Sequence, residues 1–168
     1  MAQNNSLAAT HRLEFNGGIL QRGFWLYIWE ITPPSGEAIY YVGRTGDSSS
    51  PFAQSPFNRM GQHLGFNKNS NVLRRRLKLL GIHPEACRFQ LVTHGPILEE
   101  AGHPTEHLAR RNHVAALEKA LAEALLAAGY AVVNKVHCRH RLDEEVFFKV
   151  KAAFSDAFPK LSGLPTAH

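Results

Sequence analysis

The stretch GFWLYIWEITPPSGEAIYYVG, residues 23–43, decides the fold of this chain. Its first part, Gly23–Ile31, is rich in aromatic and β-branched residues, which favours a β-strand. The segment TPPSGE, residues 32–37, has the proline, serine and glycine of a turn. A second strand is predicted over Ala38–Gly43, where the chain is expected to turn. The two segments together predict an antiparallel hairpin.

The segments that follow the hairpin predict mainly helices. A Ser/Pro-rich loop over Asp47–Pro56 leads into a short helix near Phe57. Apolar spacing and terminal glycines predict further elements, which are helices over Asn71–Gly81, His103–Gly129 and Arg141–Phe158, a third strand over Cys87–Gly95 and a short extended segment over Ala131–Asn134. The sequence therefore predicts a small α+β fold whose helices pack against a sheet.

The length of 168 residues favours one domain. We predict a single domain over residues 19–160, preceded by a flexible polar arm over residues 1–18 and followed by a frayed tail over residues 161–168. No run of apolar residues is long enough to span a membrane, and the N-terminus lacks the pattern of a secretory signal.

Charge and cysteine content narrow the function classes. The chain carries 19 Lys and Arg against 14 Asp and Glu, a net charge of +5. A basic surface attracts polyanions, although many basic proteins bind no nucleic acid. Two cysteines, Cys87 and Cys138, cannot form a disulfide framework, so a cytoplasmic protein is expected, associated with the nucleoid in a bacterium.

Polar residues near the hairpin predict a phosphate site. Gly43 permits a close backbone approach, and Arg44 follows it directly. Arg59 and His63 are four residues apart, so they share one face of a helix and place a guanidinium beside an imidazole. That pair suits a phosphate oxygen, although a solvated surface pair has the same spacing.

Glu118 lies on an apolar helix face. Its neighbours on that face include Val114 and Leu121. A buried carboxylate is costly unless it is paired or binds a cation. Glu118 is therefore expected to have either a divalent ion or a buried arginine as its partner, unless it reaches water at the edge of the stripe.

An ordered series of motifs resembles the GIY-YIG nuclease domain. The motifs are WLY (Trp25–Tyr27), YVG (Tyr41–Gly43), Arg59 and His63 in RMGQH, Glu118 in ALEKAL and Asn134 in VVNK. They extend over roughly the middle two-thirds of the chain. The first motif reads WLY instead of GIY, and the loop between Gly43 and Arg59 is long, as expected of an insertion.

The resemblance implies a three-stranded antiparallel sheet flanked by helices, with an added C-terminal helix in this chain. It also implies an endonuclease that hydrolyses DNA phosphodiester bonds with one Mg²⁺ or Mn²⁺ ion. Glu118 would bind the metal, Arg59 would stabilise the phosphate, and Tyr27 would be the candidate general base. Tyr41 and His63 would help to position or deprotonate the attacking water, and Asn134 would orient neighbouring groups.

A tyrosine has an ordinary pKa of about 10, so it needs nearby cations to act as a base. Arg44 is interpreted as a partner of the phosphate or of the tyrosinate. Further candidates for binding DNA are Arg74, Arg75, Arg76, Lys78, Arg110 and Arg111, which could equally form a solvated surface. The expected partner is DNA, including branched or damaged DNA, with RNA less favoured and no membrane partner.

Three other interpretations stay open at this stage. A noncatalytic nucleic-acid-binding module could have the same fold, although all the motif residues are present. A structural zinc site could use His137, Cys138 and His140, or His83 and Cys87, but their spacing is irregular. A protein–protein adaptor leaves Glu118 unexplained. The sequence does not predict the oligomeric state or the DNA specificity.

Overall fold

The structure is a computed structural model that describes residues 8–48, 50 and 52–163. Across these residues it contains three strands, four α-helices and three short 3-10 helices. In chain order, the strands and α-helices are β1 (Phe24–Thr32), β2 (Ile39–Arg44), α1 (Pro56–Leu64), α2 (Val72–Leu79), β3 (Arg88–Leu98), α3 (Pro104–Ala127) and α4 (Glu144–Ser155). The 3-10 helices are Gly17–Leu20, Pro84–Ala86 and Pro159–Gly163. The predicted α+β class is confirmed.

The sheet has the order β2-β1-β3, and both pairings are antiparallel. The predicted hairpin is the β1–β2 pair, in which Tyr27 lies opposite Gly43. The chain does not turn at Gly43, because β2 continues to Arg44. β1 is the central strand, which explains its nearly continuous apolar sequence: both faces of the sheet are covered at this strand.

Alternate residues of β1 pack into two separate apolar clusters. Phe24, Leu26 and Ile28 belong to the cluster formed with α3 and α4. Tyr27 and Trp29 belong to the other cluster, together with α2. Burying a large apolar side chain contributes about 1.5–3 kcal/mol, so the two clusters hold the helices on opposite faces of the sheet.

Capping residues set where α1 and α4 begin. At the start of α1, the Ser55 hydroxyl accepts a hydrogen bond from the Asn58 amide at 3.3 Å, and Pro56 follows as a favourable first helical residue. α4 begins at Glu144, three residues later than predicted, because the Asp143 carboxylate caps the Val146 amide at 3.1 Å. β3 extends beyond its predicted end at Gly95 to Leu98.

The two predicted termini pack partly against the domain. Leu161 is fully buried beside Phe158, so the core extends into the predicted tail. In the predicted arm, the ring of Phe15 contacts that of Phe57 with centroids 5.1 Å apart. Residues 1–7 and 164–168 lie outside the described residues. Among the described helices, none is both long and apolar enough to cross a membrane.

Candidate active site

Tyr27 and Gly43 are in close contact across the hairpin. The Tyr27 ring lies directly over Gly43 on the neighbouring strand, and a Cβ atom at Gly43 would overlap that ring. A glycine is therefore required at this position because any side chain would displace the phenol. This is the close backbone approach expected at Gly43.

Tyr27 and His63 form a buried hydrogen-bonded pair. Tyr27 is 2% exposed and His63 is 1% exposed, and Tyr27 Oη lies 2.6 Å from His63 Nε2. The Tyr41 ring packs edge-on against His63 with centroids 5.3 Å apart. His63 reaches the phenols because it lies in the last turn of α1, which crosses this face of the sheet.

Burial shifts the pKa values of all three of these groups. Burial lowers the pKa of His63 to about 4, and the positive charge of Arg59 acts in the same direction. Burial raises the pKa of Tyr41 to about 12. Burial also raises the pKa of Tyr27 above its ordinary value, and this outweighs the opposing effect of Arg59. The phenols and the imidazole are therefore neutral at pH 7.

Arg59 lies one helical turn before His63 and points to the same site. Its Nη2 donates to Asp47 Oδ2 at 3.0 Å, and its Nη1 donates to Gln62 Oε1 at 2.9 Å. Its charge acts on the pKa values of Tyr27 and His63 on one side, and of Glu118 on the other. Arg59 is therefore close enough to act electrostatically on both the hairpin phenols and the helix carboxylate.

Glu118 has a half-buried arginine, Arg44, as its partner. It lies in α3, is 8% exposed, and accepts a hydrogen bond from Arg44 Nη1 in an ion pair. Burial raises the pKa of Glu118 to about 7, although Arg44 acts in the opposite direction. In this structure Glu118 holds the Arg44 guanidinium. The expected role of Arg44 as a phosphate or tyrosinate partner stays a prediction.

The site contains more hydrogen-bond donors than acceptors. Arg44 Nε, Arg59 Nε and His63 Nδ1 are buried and have no hydrogen-bond partner within the described parts of the chain. Buried polar groups are nearly always paired in folded proteins, so each orphaned atom calls for an explanation. The two guanidinium donors in particular lack an acceptor, which an anion would supply.

Asn134 fixes the backbone of β2. Its Oδ1 accepts from the Val42 amide at 2.9 Å, and its Nδ2 donates to the Val42 carbonyl at 2.7 Å. Val132, two residues before Asn134, forms a parallel bridge with Tyr40, so the predicted extended segment lines the edge of β2. Asn134 thus orients the strand that carries Tyr41 and Gly43 and has no hydrogen bond to the phenols themselves.

The basic residues predicted on α2 divide into two groups. Arg74 is 7% exposed, donates to the Leu64 carbonyl at 3.0 Å, pairs with Glu85 and stacks on Phe66 at 4.2 Å. It does not belong to the predicted positive face, because these contacts bury it. The exposed members of that face are Arg75, Arg76 and Lys78.

The two arginines predicted on α3 also differ. Arg110 is held by Glu106 and by the Glu99 and Glu100 carbonyls, and so ties the start of α3 to the loop before it. Arg111 lines a cleft of about 1100 Å³ between α3 and residues 134–140. Only Arg111 of this pair faces open space that a ligand could occupy.

The cleft also contains one of the two sets of residues considered for zinc. His137, Cys138 and His140 all line it. Within residues 8–48, 50 and 52–163, however, no group of three or more His, Cys, Asp or Glu side chains is placed to hold a metal ion. The structure therefore gives no support to the zinc interpretation.

Sequence reasoning missed Asp47, Lys119, Lys135 and Arg139. Asp47 pairs with Arg59, and the other three line the cleft. The i,i+8 spacing of Arg111 and Lys119, which places them on one helix face, was a usable signal for the cleft. No sequence signal linked Asp47 to Arg59, because the loop between them has no regular periodicity.

Comparison with protein families, with curated proteins and with solved structures finds no match for this chain. The nuclease resemblance therefore rests on the motif residues of the chain itself.

Proposed function

We propose that this protein is a metal-dependent endonuclease of the GIY-YIG type that hydrolyses DNA phosphodiester bonds. The observation that supports this most directly is the convergence of a buried phenol–imidazole pair, a guanidinium and a buried carboxylate around one donor-rich site. These groups come from β1, α1 and α3. Phosphoryl transfer needs this combination of a proton acceptor, a fixed cation and a metal ligand.

Tyr27 and His63 provide the route for the proton of the attacking water. When His63 carries its proton on Nδ1, the Tyr27 hydroxyl donates to His63 Nε2 across 2.6 Å. As water attacks phosphorus, Tyr27 Oη takes the water proton while passing its own proton to His63. The phenol therefore never has to exist as a free phenolate, which its raised pKa disfavours.

Arg59 is the group best placed to stabilise the charge on the phosphate. Its guanidinium lies against Tyr27 and has an unpartnered Nε. In this structure Asp47 is its anionic partner. A phosphate would replace the Asp47 carboxylate, since both are anions that a guanidinium binds through two N–H groups. The bond between phosphorus and the leaving ester oxygen then breaks, and that oxygen takes a proton from solvent.

The residues present fit a largely hydrated Mg²⁺ ion. Mg²⁺ is usually bound by one or two carboxylates and keeps several waters. Glu118 offers one such carboxylate, and the charge of Asp47 lies close enough to raise the pKa of Glu118. Binding the ion would free Arg44 from Glu118 for the phosphate. The ion would supply positive charge against the charge that develops on the phosphate oxygens.

The test is cleavage of supercoiled, linear, branched and single-stranded DNA, with Mg²⁺ or Mn²⁺ and with a chelator. The parent protein is expected to cut at least one form only when the metal is present. Glu118→Gln removes the carboxylate charge while keeping the side-chain shape. It is expected to bind DNA, as measured by fluorescence anisotropy, but not to cut it.

The matched control is Glu145→Gln, because Glu145 is exposed on α4 and pairs only with Lys149 among the described residues. This control should cut like the parent. Equal cutting by Glu118→Gln and the parent would overturn the proposal. A parent protein that binds DNA and never cuts it would instead indicate the noncatalytic binding module.

A further inference from the structure

The cleft beside α3 has a concave floor and charged sides. Arg111, Ala115 and Lys119 follow one another at i,i+4 spacing along α3, and Ala122 continues the same face. The two alanines leave room between longer side chains, which produces the concavity. The opposite wall is the segment of residues 134–140.

The walls of the cleft are held in place by direct contacts. Asn134 bonds both backbone groups of Val42, which fixes the start of the 134–140 segment. Lys119 Nζ donates to the Cys138 carbonyl at 3.3 Å, which joins the segment to α3. The cleft therefore does not depend on a ligand for its shape.

The charges that line the cleft are mostly positive. Its cations are Arg44, Arg111, Lys119, Lys135 and Arg139, and its carboxylates are Asp47 and Glu123. Asp47 is paired with Arg59, and Glu123 lies 3.7 Å from Lys119. By contrast, Arg111, Lys135 and Arg139 make no ion pair with any residue that the structure describes. The unpaired charge of the cleft is thus entirely cationic.

The cleft joins the candidate active site through Arg44 and Asp47. Arg44 lines the cleft and binds Glu118, and Asp47 lines the cleft and binds Arg59. An anion bound at Arg59 would therefore lie at one end of a channel of unpaired cations. A small molecule would use only part of this channel, whereas a polymer of phosphates could follow all of it.

We propose that this cleft binds the sugar–phosphate backbone of the nucleic-acid strand that leads away from the scissile phosphate. The inference rests on the proposed nuclease function and identifies the path of its substrate. Arg111 and Lys119 are eight residues apart, which is about 12 Å along a helix at about 1.5 Å per residue. That length corresponds to about three to four base steps at about 3.4 Å each. Because the lining charges would contact phosphates, binding here is independent of base sequence.

The test measures the salt dependence of DNA binding by fluorescence anisotropy. All proteins carry Glu118→Gln, so that the DNA stays intact. The probes are a labelled single strand and the corresponding duplex. The test variant is Arg111→Gln/Arg139→Gln, and the charge-matched control is Arg88→Gln/Lys160→Gln, whose side chains do not line the cleft.

The slope of log K against log salt is negative, and each lost phosphate contact reduces its magnitude by about 0.7 on a single strand and about 0.9 on a duplex. The test variant should bind more weakly, with a slope that is smaller in magnitude by about 1.4 or about 1.8 respectively. Between about 50 and 200 mM salt, the affinity of the reference protein should then fall about seven- to twelvefold more than that of the variant. The control variant should keep the slope of the reference.

An unchanged slope in the test variant, or an equal decrease in the control, would overturn the cleft assignment. The outcome is separate from that of the nuclease proposal. A parent protein that binds DNA through the cleft but leaves every form uncut would overturn the hydrolytic function while supporting the path of the strand.

Discussion

Tyr27 and His63 are buried as neutral hydrogen-bond partners, whereas the buried Glu118 forms an ion pair with the half-buried Arg44. Neutral partners incur little desolvation cost, so the first pair can lie at 1–2% exposure and keep a short hydrogen bond. The second pair places charge in a poorly solvated position, and the pKa of Glu118 rises to about 7. On the phenol side, formed by Tyr27 and His63, the hydrogen bond therefore depends on which nitrogen of His63 carries the proton. On the carboxylate side, formed by Glu118 and Arg44, the stability of the buried carboxylate depends on the positive charge of Arg44.

The largest expected effect is on the phenol side. Tyr27→Phe keeps the ring over Gly43 and removes only the hydroxyl that bonds His63. Loss of a group that transfers a proton should lower kcat about 10²–10⁴-fold while KM stays nearly unchanged. Single-turnover cleavage of the best DNA substrate provides the measurement.

Tyr130→Phe is the control for this change. Tyr130 also lies in an aromatic cluster, and its hydroxyl accepts only a 3.3 Å hydrogen bond from the Lys160 amide. A Tyr27→Phe rate equal to that of Tyr130→Phe would show that the buried phenol has no part in proton transfer.

On the carboxylate side, removing one partner should reduce stability. Arg44→Met leaves Glu118 buried without its cation, which should lower the free energy of unfolding by about 3 kcal/mol. Adding Glu118→Gln removes the unpaired charge and should restore most of that loss. Urea unfolding of the parent, the two single variants and the double variant at one pH measures this coupling. A double variant whose loss equals the sum of the two single losses would mean that the ion pair contributes nothing.

Local patterns predicted the hairpin but not the partners across it. The aromatic and β-branched residues of β1 and the turn residues placed both strand ends to within a residue, because these signals depend on the segment's own sequence. The Arg44–Glu118 pair joins residues 74 positions apart, so no local pattern could have assigned it. The apolar face around Glu118 predicted the need for a partner without identifying which one.

Arg74 shows the opposite limitation. Its neighbours in LRRRLK predict a solvated basic face, and three of the four cations are indeed exposed. Arg74 is buried because Phe66 and Glu85, both outside the helix, close over it. A run of basic residues predicts an exposed helix face only when no residue from the flanking segments packs against that face.

A smaller effect concerns the pH dependence of stability. His63 has a pKa of about 4 in the folded protein and an ordinary value of 6.5. Between these two values His63 binds fewer protons in the folded protein than in the unfolded chain, so its contribution to stability falls as the pH is lowered through this window. From about pH 7.5 to 5, His63 should account for a loss of about 2 kcal/mol.

His63→Gln should reduce this loss by the same amount in urea unfolding at the two pH values. His137→Gln, at an exposed histidine, should behave like the parent. If the parent and His63→Gln lose stability equally, His63 is not held neutral by burial.

The smallest expected effect concerns Asp47, which connects the two sides by pairing with Arg59 and raising the pKa of Glu118. The pair is partly exposed, with side-chain exposures of 17% for Arg59 and 41% for Asp47, so it contributes roughly 0.2–1 kcal/mol. Asp47→Asn removes the anion that competes with phosphate for Arg59. DNA affinity should rise by up to about fivefold, and Asp156→Asn, which removes one exposed negative charge elsewhere, should change it less.

Measuring kcat and KM separately for Asp47→Asn shows whether Asp47 competes with the phosphate for Arg59 or acts together with Glu118. A lower KM with kcat retained means that the carboxylate occupies the place of the phosphate and leaves when DNA binds. A large fall in kcat with KM unchanged contradicts that role. It would instead indicate that Asp47 acts with Glu118 as a second carboxylate for the metal ion. The variant would then need a higher Mg²⁺ concentration for activity, which titration of the ion measures.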